Sequence, residues 1–348
     1  MIQVGYYPGC ALHGTAAEFD ESLRAVCQAL DIALAELADW NCCGASSAHF
    51  LDDQLAVELA ERNLQLAVQA GPELLAPCAA CFHRLKTAQK HRPGYEVVIW
   101  HVNEFFAHPD RLAELRRRVQ RPLRGLAVVP YYGCLTQRQP KITDAPQPEW
   151  PTSMDALLET LGVQVRRWSY KTDCCGGSLE VARPDLVQHL CTRLVRAAQE
   201  AGADCIVTAC PMCQANLDIS QAMGSPMAEK TALSPPREGD KGEGVNFPLS
   251  LAGEDGPRSR PAEGGSSPLS PPRERDKGEG AISPLPPAGE GGLRSRPGEG
   301  GTLNGHLPVF YITELMALAL GVGRPARWWR RHMVDPRPLL ERKGLPTE

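Results

Sequence analysis

Short apolar runs alternate with stretches of helical periodicity along most of this chain. Ile2 to Tyr7 is a β-prone run closed by Pro8-Gly9, a turn that carries Cys10. Residues 15 to 30 then place Leu23, Val26, Cys27 and Leu30 on one helical stripe. A second run, Ile32 to Leu37, leads into Asn41-Cys42-Cys43-Gly44, after which Asp52 or Asp53 is placed to cap a helix that stops at Gly71-Pro72. Glu73 to Ala76 predicts a strand delivering Pro77-Cys78, with a helix starting between Cys78 and Cys81. Glu96 to His101 predicts another strand, and Val102-Asn103-Glu104 opens the helix after it.

The same plan follows a second time. Leu126 to Tyr132 is the strand before Cys134, Val163 to Trp168 the strand before Cys174-Cys175-Gly176, and Asp204 to Thr208 the strand before Cys210. Between them, Pro184 to Gly202 is helical, with Leu186, Leu190 and Leu194 beside Val187, Cys191 and Val195. Strands alternating with helices predict an α/β fold: two pseudo-symmetric halves, each a small, mostly parallel sheet flanked by helices. Each cysteine motif follows a strand, and the C-terminal edge of an open parallel sheet is where ligands bind, so residues far apart in sequence converge there.

Past Cys213 the two copies fall out of step. Val98 to Glu104 has its counterpart in Pro308 to Glu314, and the surplus sits at 224–303. Inside it Leu233 to Gly244 recurs as Leu269 to Gly280, in a segment rich in Gly and Pro that lacks cysteine. Such a composition buries too little apolar surface to offset ordering entropy, and the expectation is a disordered insertion in a surface loop. The expected division is 1–122, then 123–223 joined with 304–323, with 224–303 inserted and 324–348 a basic, Trp-rich tail. A solvated helix end is the first expectation for that tail (Arg324, Arg327, Trp328, Trp329, Arg330, Arg331), and a partner-docking surface the second.

A net charge of −4 and a pI near 6.2 give no basic footprint for nucleic acid. The first residues lack the pattern of a secretory signal, and the apolar run Leu315 to Val322 is too short to span a bilayer, so a cytoplasmic protein with no transmembrane segment is expected. Thirteen cysteines in that setting read as reduced ligands, not disulfides.

Ten of them form one design written twice. Cys10, Cys42, Cys43, Cys78 and Cys81 read C-x31-C-C-x34-C-x2-C, and Cys134, Cys174, Cys175, Cys210 and Cys213 read C-x39-C-C-x34-C-x2-C. Thiolates select zinc, copper(I) or iron–sulfur centres. Zinc and a cubane cluster each take four ligands, whereas each half offers five, and adjacent cysteines suit an extended cluster better than one tetrahedral ion. Cys27, Cys191 and Cys205 fall on apolar stripes or in a strand and read as core. His13, His49 and His83 lie near first-half ligands and are candidates for hydrogen bonds to cluster sulfur or for proton donation.

These residues resemble the two CCG domains of the B subunit of heterodisulfide reductase. The resemblance covers the chain except the insertion and the extreme C-terminus, and all ten cysteine positions are kept. It implies two noncubane 4Fe-4S clusters, one per five-cysteine set, with a disulfide reduced to two thiols, or the reverse, between them. It also implies a ferredoxin-like C subunit and a flavin-containing A subunit of a heterodisulfide reductase-like complex as partners, with a disulfide or sulfur carrier as substrate. Two alternatives stay open: a non-catalytic CCG protein relaying electrons from a membrane-associated dehydrogenase to quinone, and a zinc-stabilised module.

Overall fold

A computed structural model describes residues 2–45, 48–223 and 305–348, so the expected insertion lies outside the described residues. The strands are β1 (Ile2–Tyr6), β2 (Ile32–Glu36), β3 (Glu73–Leu75), β4 (Val98–Trp100), β5 (Ala127–Tyr131), β6 (Gln164–Val165), β7 (Cys205–Thr208) and β8 (Val309–Tyr311). Among the described residues they form two four-stranded sheets, ordered β2-β1-β3-β4 and β6-β5-β7-β8, and every pairing is parallel. The shared order is the pseudo-symmetry that the duplicated motifs predict. In each sheet the chain moves outward after its first strand and returns to the other side, so the crevice between β1 and β3, or β5 and β7, is a switch point. β5, β7 and β8 are buried along their whole length, as strands covered by helices on both faces must be.

Local chemistry sets the element ends. Asp52 caps the helix Asp53–Ala70, its Oδ1 accepting from the backbone N–H of Gln54 at 2.7 Å and Leu55 at 3.0 Å. The strand expected over Val163 to Trp168 is cut to two residues. β6 is an edge strand, and beyond it the chain turns so that the Trp168 indole donates to the Pro130 carbonyl at 2.9 Å. In the helix Pro184–Glu200, Val187, Cys191, Leu194 and Val195 face inward, whereas Leu186 is 38% exposed. The apolar positions there wrap further round than one buried face can use.

The halves meet through a reciprocal pair of helix contacts. All nine residues of the helix Ile312–Leu320 are buried, and it packs on Ala17–Ala29 of the other half. Phe19 stacks on Tyr311 with centroids 4.4 Å apart, and Ser22 Oγ lies 2.7 Å from Thr313 Oγ1. Conversely, Val102–Ala107 packs on Ser153–Thr160, where Ser153 Oγ donates to Glu104 Oε1 at 3.1 Å. One continuous apolar core runs through both contacts.

The tail departs from expectation. Trp328 and Trp329 are each 1% exposed, so they are core residues and neither solvated nor free to anchor a partner. Trp329 packs edge-on against Phe310 of β8. The arginines around them reach back to the first half, Arg327 to Glu21 at 3.1 Å and Arg331 to Glu21 at 3.3 Å. No helix among the described residues is long and apolar enough to cross a membrane.

Candidate metal centres

Each cysteine set assembles at the C-terminal edge of its sheet. Cys10 lies in the short helix Gly9–His13 after β1, Cys42 and Cys43 in the loop after β2, and Cys78 caps the helix Ala79–His91 whose first turn holds Cys81. The second half repeats this: Cys134 follows β5, Cys174 and Cys175 follow β6, and Cys210 caps the helix Pro211–Ala222 with Cys213 in its first turn. Sulfurs at a helix N-terminus meet free backbone N–H groups and the positive end of the dipole, which favours thiolate.

All thirteen cysteines are free. Cys43 Sγ is 3.4 Å from Cys81 Sγ, Cys175 Sγ 3.6 Å from Cys213 Sγ, and Cys134 Sγ 3.9 Å from Cys174 Sγ. A disulfide holds its sulfurs at about 2.05 Å. Two thiolates at ~2.3 Å from a shared tetrahedral ion stand about 3.8 Å apart, close to these separations. Such close approach needs glycine beside it: a Cβ on Gly9 would meet Cys81 Sγ at 2.7 Å and one on Gly133 would meet Cys213 Sγ at 2.9 Å, with φ at +68° and +70°.

Backbone donors point at the sulfurs. Gly44 N–H donates to Cys42 Sγ at 3.5 Å, Gly176 N–H to Cys174 Sγ at 3.3 Å and Gly177 N–H to Cys175 Sγ at 3.4 Å. Crowding then splits the thiols. Hydrogen bonds from Cys42 and Cys81 hold Cys43 down at about 3, and the same contacts push Cys42 and Cys81 up. In the second half Cys134 holds Cys174 at about 6, while Cys175 is lowered by its bond from Cys213, itself pushed up. Thiols held this close, Cys43 to Cys81, Cys175 to Cys213 and Cys134 to Cys174, cannot all ionise without a cation to offset the charge, which is the service a metal centre supplies. Five cysteines on one sheet edge suit a multi-metal, thiolate-bound group better than a single ion, and among the described residues no three potential ligands stand close enough together to chelate one ion as they are placed. Cys43, Cys78, Cys81, Cys175, Cys210 and Cys213 are buried while Cys10, Cys42 and Cys174 are exposed, so each set has a dry inner side and an open outer one.

Tyr7 and Tyr131 are site residues that the motif spacing did not single out. Each is buried and donates its hydroxyl to the carbonyl just before a cysteine pair, Tyr7 to Asn41 and Tyr131 to Asp173, both at 2.7 Å. Burial and then the charges of Cys81, Cys43, Cys42 and Cys10 push the Tyr7 phenol up, and Tyr131 is raised likewise by burial and by Cys213 and Cys175. Their signal was present in the sequence, a tyrosine three residues before each single cysteine. Asn63 clamps Asn41 through both its backbone groups, at 3.0 and 2.9 Å. Asn216 Nδ2 approaches Cys175 Sγ at 3.6 Å.

The three candidate histidines are held by other groups. His13 Nε2 faces Glu36 at 3.1 Å and lies edge-on to Trp40, His83 Nε2 lies 2.7 Å from Gln139 Oε1 across the seam, and His49 packs on Phe50. Among the described residues none of them hydrogen-bonds to a cysteine sulfur. His101 at the end of β4, 1% exposed, instead reaches the Ala209 carbonyl beside Cys210 at 3.2 Å. Cys27, Cys191 and Cys205 are core residues; burial pushes the first two up to about 12, and Cys191 Sγ also donates to the Cys175 carbonyl at 3.4 Å.

A parallel α/β unit, used twice, with five thiols at each sheet edge defines the class of protein. The chain belongs to the cysteine-rich CCG domain family, whose pattern it matches at residues 4–86 and again at 128–218. It is 28% identical over 249 residues to the 8-methylmenaquinol:fumarate reductase membrane anchor subunit of Wolinella succinogenes, covering 67% of this chain and 88% of that one. It is 24% identical to the B subunit of the ferredoxin/F(420)H(2)-dependent CoB-CoM heterodisulfide reductase of Methanosarcina acetivorans, covering 64% and 81%. It is 26% identical to the D subunit of the dihydromethanophenazine:CoB–CoM heterodisulfide reductase of Methanosarcina barkeri, covering 61% of this chain and 52% of that one. Among solved structures, a hypothetical protein from Helicobacter pylori superposes with a TM-score of 0.48 at 12% identity, covering 64% of this chain and 44% of that one.

Proposed function

We propose that this chain is the iron–sulfur electron-transfer component of an oxidoreductase, and that Cys10, Cys42, Cys43, Cys78 and Cys81, with Cys134, Cys174, Cys175, Cys210 and Cys213, hold two noncubane 4Fe-4S clusters. The observation that carries this reading is the intactness of both five-cysteine sets, with one pair of sulfurs under 4 Å apart in the first, two in the second, and an exposed outer edge on each. A structural zinc takes four ligands and is closed to solvent, which fits neither the count nor the exposed Cys10, Cys42 and Cys174.

The finer reading is reduction of a disulfide to two thiols, RSSR′ + 2 e⁻ + 2 H⁺ → RSH + R′SH, or its reverse. A bound cluster supplies one-electron chemistry, and two of them supply the pair that a disulfide needs. The chain itself contributes the frame: helix N-termini at Cys78 and Cys210 favour the ligating thiolates, and Tyr7 and Tyr131 hold the loops that present Cys42-Cys43 and Cys174-Cys175. The relatives named as heterodisulfide reductase subunits support this reading and imply other subunits; a ferredoxin-like C subunit, a flavin-containing A subunit and a cytoplasmic setting are part of the same proposal and rest on the family resemblance. A second reading, relay of electrons towards a quinone without disulfide chemistry, is favoured by the Wolinella relative, of which the match spans 88%.

Iron, sulfide and zinc assays on anaerobically purified protein test the cofactor. Iron with sulfide is expected, and zinc in its place sinks the proposal. EPR of the loaded protein titrated with disulfides divides the two finer readings, since a substrate disulfide changes the spectrum and a pure relay is indifferent to all of them.

A further inference from the structure

The two cysteine sets are spaced unequally, C-x31-C in the first and C-x39-C in the second, so the second carries eight residues more before its adjacent pair. They have a place in the fold. Residues 11–16 separate Cys10 from the helix Ala17–Ala29, whereas residues 135–152 separate Cys134 from the helix Ser153–Thr160. The longer connection crosses the seam to the other half.

Its path ties both sets together. The Cys134 carbonyl accepts from the N–H of Gln137 at 3.2 Å and of Arg138 at 2.7 Å, so the segment starts as a single turn closed on a proposed ligand. Arg138 Nε then donates to the Thr172 carbonyl at 3.3 Å, and its guanidinium stands 3.8 Å from Asp173; these are the two residues before Cys174. The next residue, Gln139, places its Oε1 2.7 Å from His83 Nε2 on the helix Ala79–His91 of the first half, whose first turn holds Cys81. After the turn Pro140–Thr143, Asp144 accepts from Lys86 Nζ at 2.5 Å and from Lys90 Nζ at 2.7 Å on that same helix. His83, Lys86 and Lys90 recur at three- and four-residue spacing, which is one face of the helix.

The residues that grip this face are held in an unfavourable backbone conformation. Among the described residues four that are not glycine have positive φ, and two of them are Gln139 at +97° and Asp144 at +58°. Such conformations persist where surrounding contacts over-determine them, and they gather at clamps. One exposed ion pair would add little, but here the Lys86 side chain is only 12% exposed, and two lysines share one carboxylate beside the His83 contact.

We propose that Gln139 and Asp144 are positioning residues, and that the strap of residues 134–144 holds the two cysteine sets at one fixed separation. This deepens the disulfide reading above and rests on it. The sulfurs of a disulfide are about 2.05 Å apart, so two centres that act on both at once need a fixed gap, and a misplacement of about 1 Å lowers such a rate about a hundredfold. Helix packing at the seam joins the halves through their cores, whereas the strap joins the cysteine-bearing elements directly.

The test uses the full chain, anaerobically loaded with iron and sulfide and reduced with dithionite, and reads the magnetic interaction between the two centres by pulsed EPR. Wild type should give one narrow distribution of separations. In the double variant Gln139→Gly, Asp144→Gly, glycine accepts the positive φ while both grips are lost. Iron content should stay full, the distribution should broaden, and disulfide reduction should slow roughly tenfold or more. Gln139→Glu, which keeps an acceptor within reach of His83, should behave as wild type, and so should Lys141→Ala, an exposed residue of the same strap. Lys90→Ala leaves the strap's own sequence intact and should broaden the distribution in the same sense, though less. A double variant as narrow as wild type, a broad distribution in wild type, or loss of iron from the second set alone overturns the proposal. A strap-dependent spacing in a protein that leaves every disulfide untouched sinks the disulfide reading and keeps the strap's role. Zinc in place of iron sinks the electron-carrying reading, and cobalt(II) in the same thiols then reads the same spacing.

Discussion

A methyl group at Gly9 or Gly133 would stand 2.7 Å or 2.9 Å from the sulfur of Cys81 or Cys213, at a backbone φ that L side chains rarely adopt. Gly9→Ala should therefore displace a ligand without adding charge or polarity, and iron bound by the first set should fall while the second set keeps its share; Gly133→Ala should do the converse. Iron per chain and the EPR signal would check this, and retention of full iron in both variants would show that the sulfurs do not ligate where they stand. The cysteines divide in the same way. Cys42→Ala removes an exposed thiol whose sulfur accepts from Gly44 N–H, and should cost the first set its iron. Cys27→Ala empties a small core site and should cost about 1 kcal/mol or somewhat more in denaturant titration with iron unchanged. Equal iron loss from both would overturn the division. At this scale the gathering of the two five-cysteine sets at their sheet edges was legible, because one residue type recurs at the same spacing after each strand. Tyr7 and Tyr131 share a visible spacing, three residues before each single cysteine, but their role was not legible, because each spends its hydroxyl on a backbone carbonyl and a carbonyl leaves no mark in a sequence.

Among the elements, strands and caps were read well where local rules govern them, as at Asp52 and at Gly71 after the helix Asp53–Ala70. The tail was misread because arginines next to tryptophans look like surface, whereas here the rings fill core space and the guanidiniums reach across to Glu18 and Glu21. That attachment is pH-sensitive. Burial opposes the charge on His332, but Glu314, Asp218 and Glu18 outweigh it and lift the imidazole to about 9. A group raised in the folded state stabilises fully below its ordinary value of about 6.5 and loses that contribution as pH rises through about 9, a change of at most about 3 kcal/mol. Glu18 and Asp218, also raised, act in the same sense at lower pH. Urea midpoints should fall between pH 7 and pH 9.5 more steeply for the wild type than for His332→Asn, and parallel curves would show the pair to be neutral. The insertion makes a separate case. Its flanks are already joined, Gln221 Nε2 donating to the Leu307 carbonyl at 2.9 Å and Gln221 Oε1 accepting from Leu307 N–H at 2.7 Å. Excising 225–303 and closing the gap with a short linker should leave iron content unchanged, and loss of iron would assign the segment a structural role.

At the level of the whole molecule, the duplication announced two similar sheets, but how they meet was invisible. Phe19 on Tyr311 and Ser22 on Thr313 join residues almost three hundred positions apart, and each of these side chains taken alone reads as an ordinary buried strand or helix position. The consequence is an exchange: the helix that follows the fourth strand of each half packs on a helix of the other, and Ile312–Leu320 is buried on every side. A half cut from its partner would expose that surface. Burying Phe19 or Tyr311 against each other is worth about 2 kcal/mol each, so an isolated half loses several such contributions from a stability that is itself only about 5–15 kcal/mol. Residues 1–122 expressed alone should be poorly folded, as should 123–348, and neither should hold its full iron. Co-expression of the two should restore a tight complex with the iron content of the intact chain. Two fragments that fold and load separately, with sharp melting transitions of their own, would show that the seam is a docking contact and not a shared core, and would return each five-cysteine set to the standing of an independent domain.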